Sequence, residues 1–178
     1  KLSVESNDGD IFSKEYMETL RLINDEVFFI KGVDRSAMQS LWTANVRWTE
    51  VTEEGFQGGP VIPATYDGSE ESIEQLRQNV LKSGQVGRLV ANNFSSTIID
   101  IPLIEIDPDT GEKLDYQTFS RAIEEKIRDG FTSDKITIYA TGTPKKLADL
   151  LDGVTSIVWF FLAAIVFTAI LLFLYSRC

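Results

Sequence analysis

Polar and apolar positions alternate from the first residue. Leu2 and Val4 fall between Lys1, Ser3 and Glu5, the period of a half-buried strand. Turn chemistry follows in Asn7-Asp8-Gly9-Asp10, and Ser13 is placed to cap a helix by accepting from its first N–H groups. Tyr16, Leu20, Ile23 and Val27 then recur at helical spacing and share one face, while Gly32 suits the left-handed residue that closes such a helix. Ala37 to Thr43 is β-compatible, with Met38 and Trp42 on one side and Leu41 on the other.

The pattern changes over residues 44–69, which hold four Gly and two Pro and in which only Val46 to Val51 reads as a short strand. Asp67-Gly68-Ser69-Glu70 has capping-box spacing. Ile73, Leu76, Val80 and Leu81 form the stripe of a second helix ending near Gly84. Arg88 to Ile106 is strand-rich, clearest over Thr97 to Ile101, and Asp107 to Gly111 is a turn. Tyr116, Phe119, Ile123 and Ile127 predict a third helix closing at Gly130. Ile136, Ile138 and Ala140 alternate with Thr137, Tyr139 and Thr141 as a last strand, and Thr143-Pro144 is a cap followed by the favoured first-turn proline.

Taken in order, these elements make two βαβ-type halves. The predicted fold is α+β, a ferredoxin-like split βαβ sandwich with a Gly/Pro-rich and helical insertion over about 44–87. Leu147, Leu150 and Leu151 lead into Val154–Tyr175, 22 residues without an ionisable acid or base. At 1.5 Å per residue this makes about 33 Å of helix, against a bilayer core of about 30 Å. A buried core helix of that length would keep a polar face; this one has none. We expect a domain over 1–143, a lead-in over 144–153, a transmembrane helix over 154–175 and the start of a further loop over 176–178.

Composition sharpens that division. All 27 acidic residues and 16 of the 17 basic ones precede the apolar segment, so an acidic domain is tied to the bilayer. The net charge of −10 opposes a nucleic-acid phosphate backbone. There is no histidine and the one cysteine is Cys178, which excludes a Ser-His-Asp triad, a Cys-His pair, His-ligated zinc and an internal disulfide. The chain opens on Lys1 without a signal peptide and stops three residues after the apolar segment, so we expect it to be a piece of a larger membrane protein.

Several short patterns are set aside. Asp107-Pro108-Asp109-Thr110-Gly111-Glu112 begins like a calcium loop, but Gly111 stands where an oxygen ligand belongs and no glutamate follows at the twelfth place. Glu53-Glu54 and Glu70-Glu71 are carboxylate pairs of a kind that many acids produce by chance. Asn93-Phe94-Ser95 fits a glycosylation sequon, and Gly55, Gly58 and Gly59 do not form a phosphate loop. Lys145-Lys146 is a slight basis for headgroup contact. We expect no catalytic residue, metal or cofactor site.

The aromatic residues of the insertion are the more informative candidates. Trp42, Trp48 and Phe56 are interleaved with Arg47, Glu50, Glu53 and Glu54. They either cap the sheet as core or form a surface that docks a partner or lines the path of an amphipathic substrate. The candidate surface is Trp48, Phe56, Arg47 and Glu50.

Three long stretches carry a resemblance: LWTANVRWTEVTEEGFQGGPVIP over 41–63, LRQNVLKSGQVGRLVANNFSSTIIDIPL over 76–103, and ATGTPKKLADLLDG over 140–153 before the apolar helix. Together they resemble the first large extracytoplasmic loop of bacterial RND-superfamily exporters of the MMPL type, and the likeness spans nearly the whole chain. It implies a periplasmic porter domain followed by the second membrane helix of a multi-pass, proton-driven inner-membrane exporter of lipid-like or hydrophobic substrates. The implied partners are the bilayer, the second porter domain of the full-length chain, the substrate and, through self-association, a homo-oligomer. The family's proton-coupling acids belong to a later membrane helix outside this chain, so none is assigned here. The alternative is a membrane-anchored extracytoplasmic sensor or adaptor that binds a partner protein. A hydrolase is disfavoured, because no activated nucleophile is present.

Overall fold

The computed structural model describes residues 1–53, 55–107 and 109–177, the side chains of Pro144 and Arg177 excepted. Glu54 of the first carboxylate pair, Pro108 of the predicted turn, the ring of Pro144 and the lone Cys178 lie outside the described residues.

Strand β1 (Leu2–Ser6) is the centre of a three-stranded antiparallel sheet, between β4 (Ser96–Ile99) and β5 (Ile136–Ala140). Val4 pairs with Thr97 on one side and Ile138 on the other, so the alternation read from the sequence becomes two faces. Leu2, Val4, Ile99, Ile136 and Ile138 are buried on one. The other carries Ser3, Glu5, Thr137 and the half-exposed Tyr139.

Helix α1 (Lys14–Phe29) covers the buried face with Tyr16, Leu20, Ile23 and Val27, and Ser13 caps it by accepting from the Tyr16 N–H. The Tyr16 hydroxyl donates to the Val4 carbonyl at 2.8 Å and pairs with the Thr97 hydroxyl at 2.7 Å, and burial pushes its pKa up. A phenol held so far from ionisation acts as a structural link between helix and sheet. Gly32, in the turn after α1, has φ +95, and a Cβ there would come within 2.6 Å of Leu114 Cδ1. Both the backbone and the close approach require glycine at that place.

Residues 37–43 do not form the expected strand. The Asp34 carboxylate accepts from the Ser36 and Ala37 N–H groups, and Ser40 and Thr43 close a second turn on each other. Such local bonds compete with extended pairing. What remains is a single antiparallel bridge, Gln39 to Asp100, beside β4, with Met38 and Leu41 both buried. The strand-rich stretch 88–106 likewise condenses to β4 plus isolated bridges.

The insertion is more regular than its glycines suggest. Arg47–Thr52 (β2) and Gly55–Pro60 (β3) pair as a hairpin, and α2 (Glu70–Lys82) follows, capped by Ser69. Helix α2 buries Leu76 and Val80 but leaves Leu81 half-exposed, while Asn79 is buried and donates to the Val61 carbonyl at 2.9 Å. The third helix, α3 (Tyr116–Ile123), widens into a π-helical turn over Glu124–Arg128 and runs on as a short α4 (Asp129–Phe131) that contains Gly130 rather than closing at it. Ile123 and Ile127 are buried as their spacing predicted.

Lead-in and apolar segment are one unbroken helix, α5 (Thr143–Arg177). Residues Lys145–Ser176 are long and apolar enough to cross a membrane, with a mean hydropathy of 2.9 in the most apolar window and none of that window buried against the domain. The chain is thus a mixed α/β domain with antiparallel sheets and a long apolar C-terminal helix.

Candidate functional site

The hairpin sorts the candidate residues by strand period. Trp48, Glu50 and Thr52 turn toward the body and are half-buried, while Arg47, Thr49 and Val51 are exposed. The register sets Trp48 opposite Gly59, Glu50 opposite Gln57 and Val51 opposite Phe56. On the inner face Lys82 of α2 reaches Glu50 Oε2 at 2.7 Å and lies 5.5 Å from the Trp48 ring centroid. A Cβ on Gly59 would meet the indole edge at ordinary contact distance, 3.4 Å from Trp48 Nε1, so Gly59 lies directly against the ring. The Glu50–Lys82 pair is exposed enough to be worth at most about 1 kcal/mol; it orients more than it stabilises.

On the outer face Phe56 is 88% exposed and Val51 74%. This cross-strand apolar pair covers nothing in the domain. The structure therefore brings Trp48 and Glu50 together around Lys82 and sends Phe56 and Arg47 to the opposite face. Trp42 is elsewhere: its indole N–H donates to the Met17 carbonyl at 3.1 Å and its ring meets Tyr66 edge-on. Val51 was not singled out in the sequence; its pairing with Phe56 depends on a hairpin whose second strand is hidden by glycines.

A second constellation joins the domain to α5. Lys145 sits 2.9 Å from Glu124 Oε1 and 2.7 Å from Asp149 Oδ1, and Arg128 pairs with the same Glu124. Both Glu124 oxygens are shielded from solvent and are met by these cations rather than by well-directed hydrogen bonds. One turn nearer the apolar segment, Gln117 Nε2 donates to Asp152 Oδ1 at 3.1 Å, and Ala148 is buried between them in sequence. A π-helical turn at such a place is a recurrent mark of functional positions.

The sets of acids that invited a metal reading are explained by other partners. Lys31 reaches Asp107 at 2.8 Å and Asp109 at 3.2 Å, and its hydrogen bond holds the Asp107 carboxyl below the usual carboxylate range. Among the described residues no group of three or more potential ligand side chains is placed to hold a metal ion. The Asn93 side-chain Oδ1 accepts from the Ser95 N–H and hydroxyl, a local turn within the sequon.

Compared with family models, curated proteins and solved structures, the chain matches none. Its functional reading rests on its own residues.

Proposed function

We propose that this chain is the first periplasmic porter segment, with its following membrane helix, of a proton-driven RND exporter of the MMPL type that handles lipid-like or hydrophobic substrates. One observation carries the reading beyond the resemblance. The Lys1 backbone nitrogen donates to the Thr141 carbonyl at 3.0 Å, and the Thr141 N–H donates back to the Lys1 carbonyl at 2.9 Å. The start of the first strand is thereby fastened beside the start of α5. A domain inserted between two membrane helices needs its entry and exit together at the bilayer, and this pairing supplies that.

The sheet order β4-β1-β5, with the Gln39 bridge outside β4, supports reading the domain as a ferredoxin-like split βαβ sandwich whose fourth strand is reduced to one bridge. In this reading residues 1–153 are periplasmic, the apolar helix crosses the bacterial inner membrane, and the hairpin faces the second porter domain. The exposed Phe56–Val51 pair favours a second reading as well, a membrane-anchored adaptor whose hairpin docks a partner protein.

Topology tests the proposal. In the full-length protein stripped of other cysteines, Cys178 is expected to resist an impermeant maleimide in intact spheroplasts and to react after permeabilisation. Efficient labelling of intact spheroplasts overturns the assignment. Two similar multi-span halves in the full-length product favour the exporter over the adaptor.

A further inference from the structure

The C-terminal end of α1 and the loop behind it enclose an open groove of about 650 Å³ that neither the hairpin nor the α5 junction uses. Its apolar wall is Phe28, Phe29 and Trp42, with Met38 buried behind them and Arg35 at the rim. The volume lies within the roughly 300–1,000 Å³ typical of small-molecule sites.

The walls are fixed by bonds that do not involve a ligand. Ser40 Oγ donates to the buried Asn24 Oδ1 at 2.6 Å, Asn45 Nδ2 to the Met38 carbonyl at 3.0 Å, and Trp42 Nε1 to the Met17 carbonyl at 3.1 Å. The groove is therefore preformed. Phe28 and Phe29 meet edge-to-face at 5.5 Å, yet Phe29 stays 73% exposed and Phe28 37%. Two adjacent phenyl rings held in water beside a concavity are an apolar surface without an internal partner.

Arg35 supplies the polar half of the argument. Its Nε donates to the Phe28 carbonyl at 2.9 Å and its guanidinium lies 5.3 Å from the Phe28 ring centroid. Those contacts fix the side chain and leave the two terminal nitrogens with no ion pair among the described residues. The adjacent Asp34 carboxylate accepts from Ser36 and Ala37 through Oδ1. Asp25 is the one acid among the lining residues, and it receives Asn24 Nδ2 at 3.4 Å. A planar guanidinium held in place and open on its outer edge is a carboxylate or phosphate receptor.

We infer that this groove binds an anionic single-chain amphiphile, its acyl chain along Phe28, Phe29 and Trp42 and its headgroup on Arg35. The inference rests on the exporter reading for the class of molecule delivered to it. It deepens that reading by moving the substrate contact from the hairpin to the α1 end.

The test uses the whole 178-residue chain in lipid nanodiscs with a photoreactive long-chain fatty acid, cross-linked peptides being mapped by mass spectrometry. Labelling is expected within residues 22–45, to be competed by palmitate, and to fall about tenfold in Arg35→Gln, as loss of a charge-assisted hydrogen bond implies. Arg35→Lys should restore part of it, and Phe29→Ser should weaken it while leaving the melting temperature unchanged. A fatty alcohol of the same length should label the groove weakly. Equal labelling by the alcohol, indifference to Arg35→Gln, or cross-links confined to 154–175 overturns the groove. Those results leave the Cys178 topology untouched, so this inference and the exporter reading can fail separately.

Discussion

Lys145, in the first turn of the long apolar helix α5, lies 2.9 Å from Glu124, the first residue of the π-helical turn. The pair ties the longest helix of the chain to the helix that packs on the sheet. With Gln117 bonded to Asp152, the first turns of α5 belong to the domain rather than to a flexible stem.

Removing the cation should loosen this joint. Lys145→Met is expected to cost about 1 kcal/mol, the upper end for a partly exposed ion pair, because Glu124 keeps only Arg128. Spin labels on α3 and on the exposed face of α5 above the bilayer should show a broadened distance distribution. An unchanged distribution would mean that helix packing alone, through Ala148, holds the joint.

The phase of the third helix can be tested with two charge changes. Ile123 is buried, and Ile123→Asp should prevent folding, since burying such a side chain is worth roughly 1.5–3 kcal/mol and an unpaired charge adds to the loss. Lys126 is exposed and pairs with Glu26 only at 3.7 Å, so Lys126→Asp should be tolerated. Thermal unfolding of both variants checks the assignment, and equal tolerance would contradict it.

Acid should loosen the start of α2. Asp67 accepts from the Ser69 N–H at 2.9 Å, and hydrogen bonds from Ser69 and Ser72 push its pKa down to about 2. Its folded value is depressed, so its stabilising contribution is complete above the unfolded value of about 4 and is lost as pH falls toward 2. Amide protection at Ser69 to Ile73, measured against the intrinsic exchange rate at each pH, should fall across that window. Asp67→Asn should remove the pH dependence while Asp8→Asn leaves it.

The helices were the most legible part of this sequence. Tyr16, Leu20, Ile23 and Val27 share a face because their 3.6-residue period is uninterrupted, and Ile123 and Ile127 stay buried even through the π-helical turn. The strand at 37–43 was misread because Asp34, Ser40 and Thr43 satisfy the backbone locally, which an apolar pattern does not register. The hairpin partner Gly55–Pro60 was hidden for the opposite reason: its glycines carry no side chains to alternate. Of the candidate surface, Trp48 and Glu50 were legible as a strand face, but their contact with Lys82 joins residues far apart in the chain. The Phe28–Arg35 groove had no signal beyond two adjacent phenylalanines at the end of a helix.

The hairpin rings should separate stability from function. Phe56→Ala removes a side chain that is 88% exposed and should leave the melting temperature within a degree or so, as surface changes do. Trp48→Ala strips a half-buried ring from Lys82 and Gly59 and should lower stability modestly. Both are expected to impair export in cells that depend on the full-length protein. A large loss of melting temperature in Phe56→Ala would return that ring to the core.

The central claim is that this domain serves the movement of lipid-like molecules out of the inner membrane, and it is met most directly by comparing extracted lipids. A strain lacking the full-length gene should accumulate one lipid class in its inner membrane and lose that class from the outer envelope. Reintroducing the intact gene should restore the profile, and the Phe56→Ala form should not. Identical inner-membrane and envelope lipid profiles with and without the gene would contradict the account.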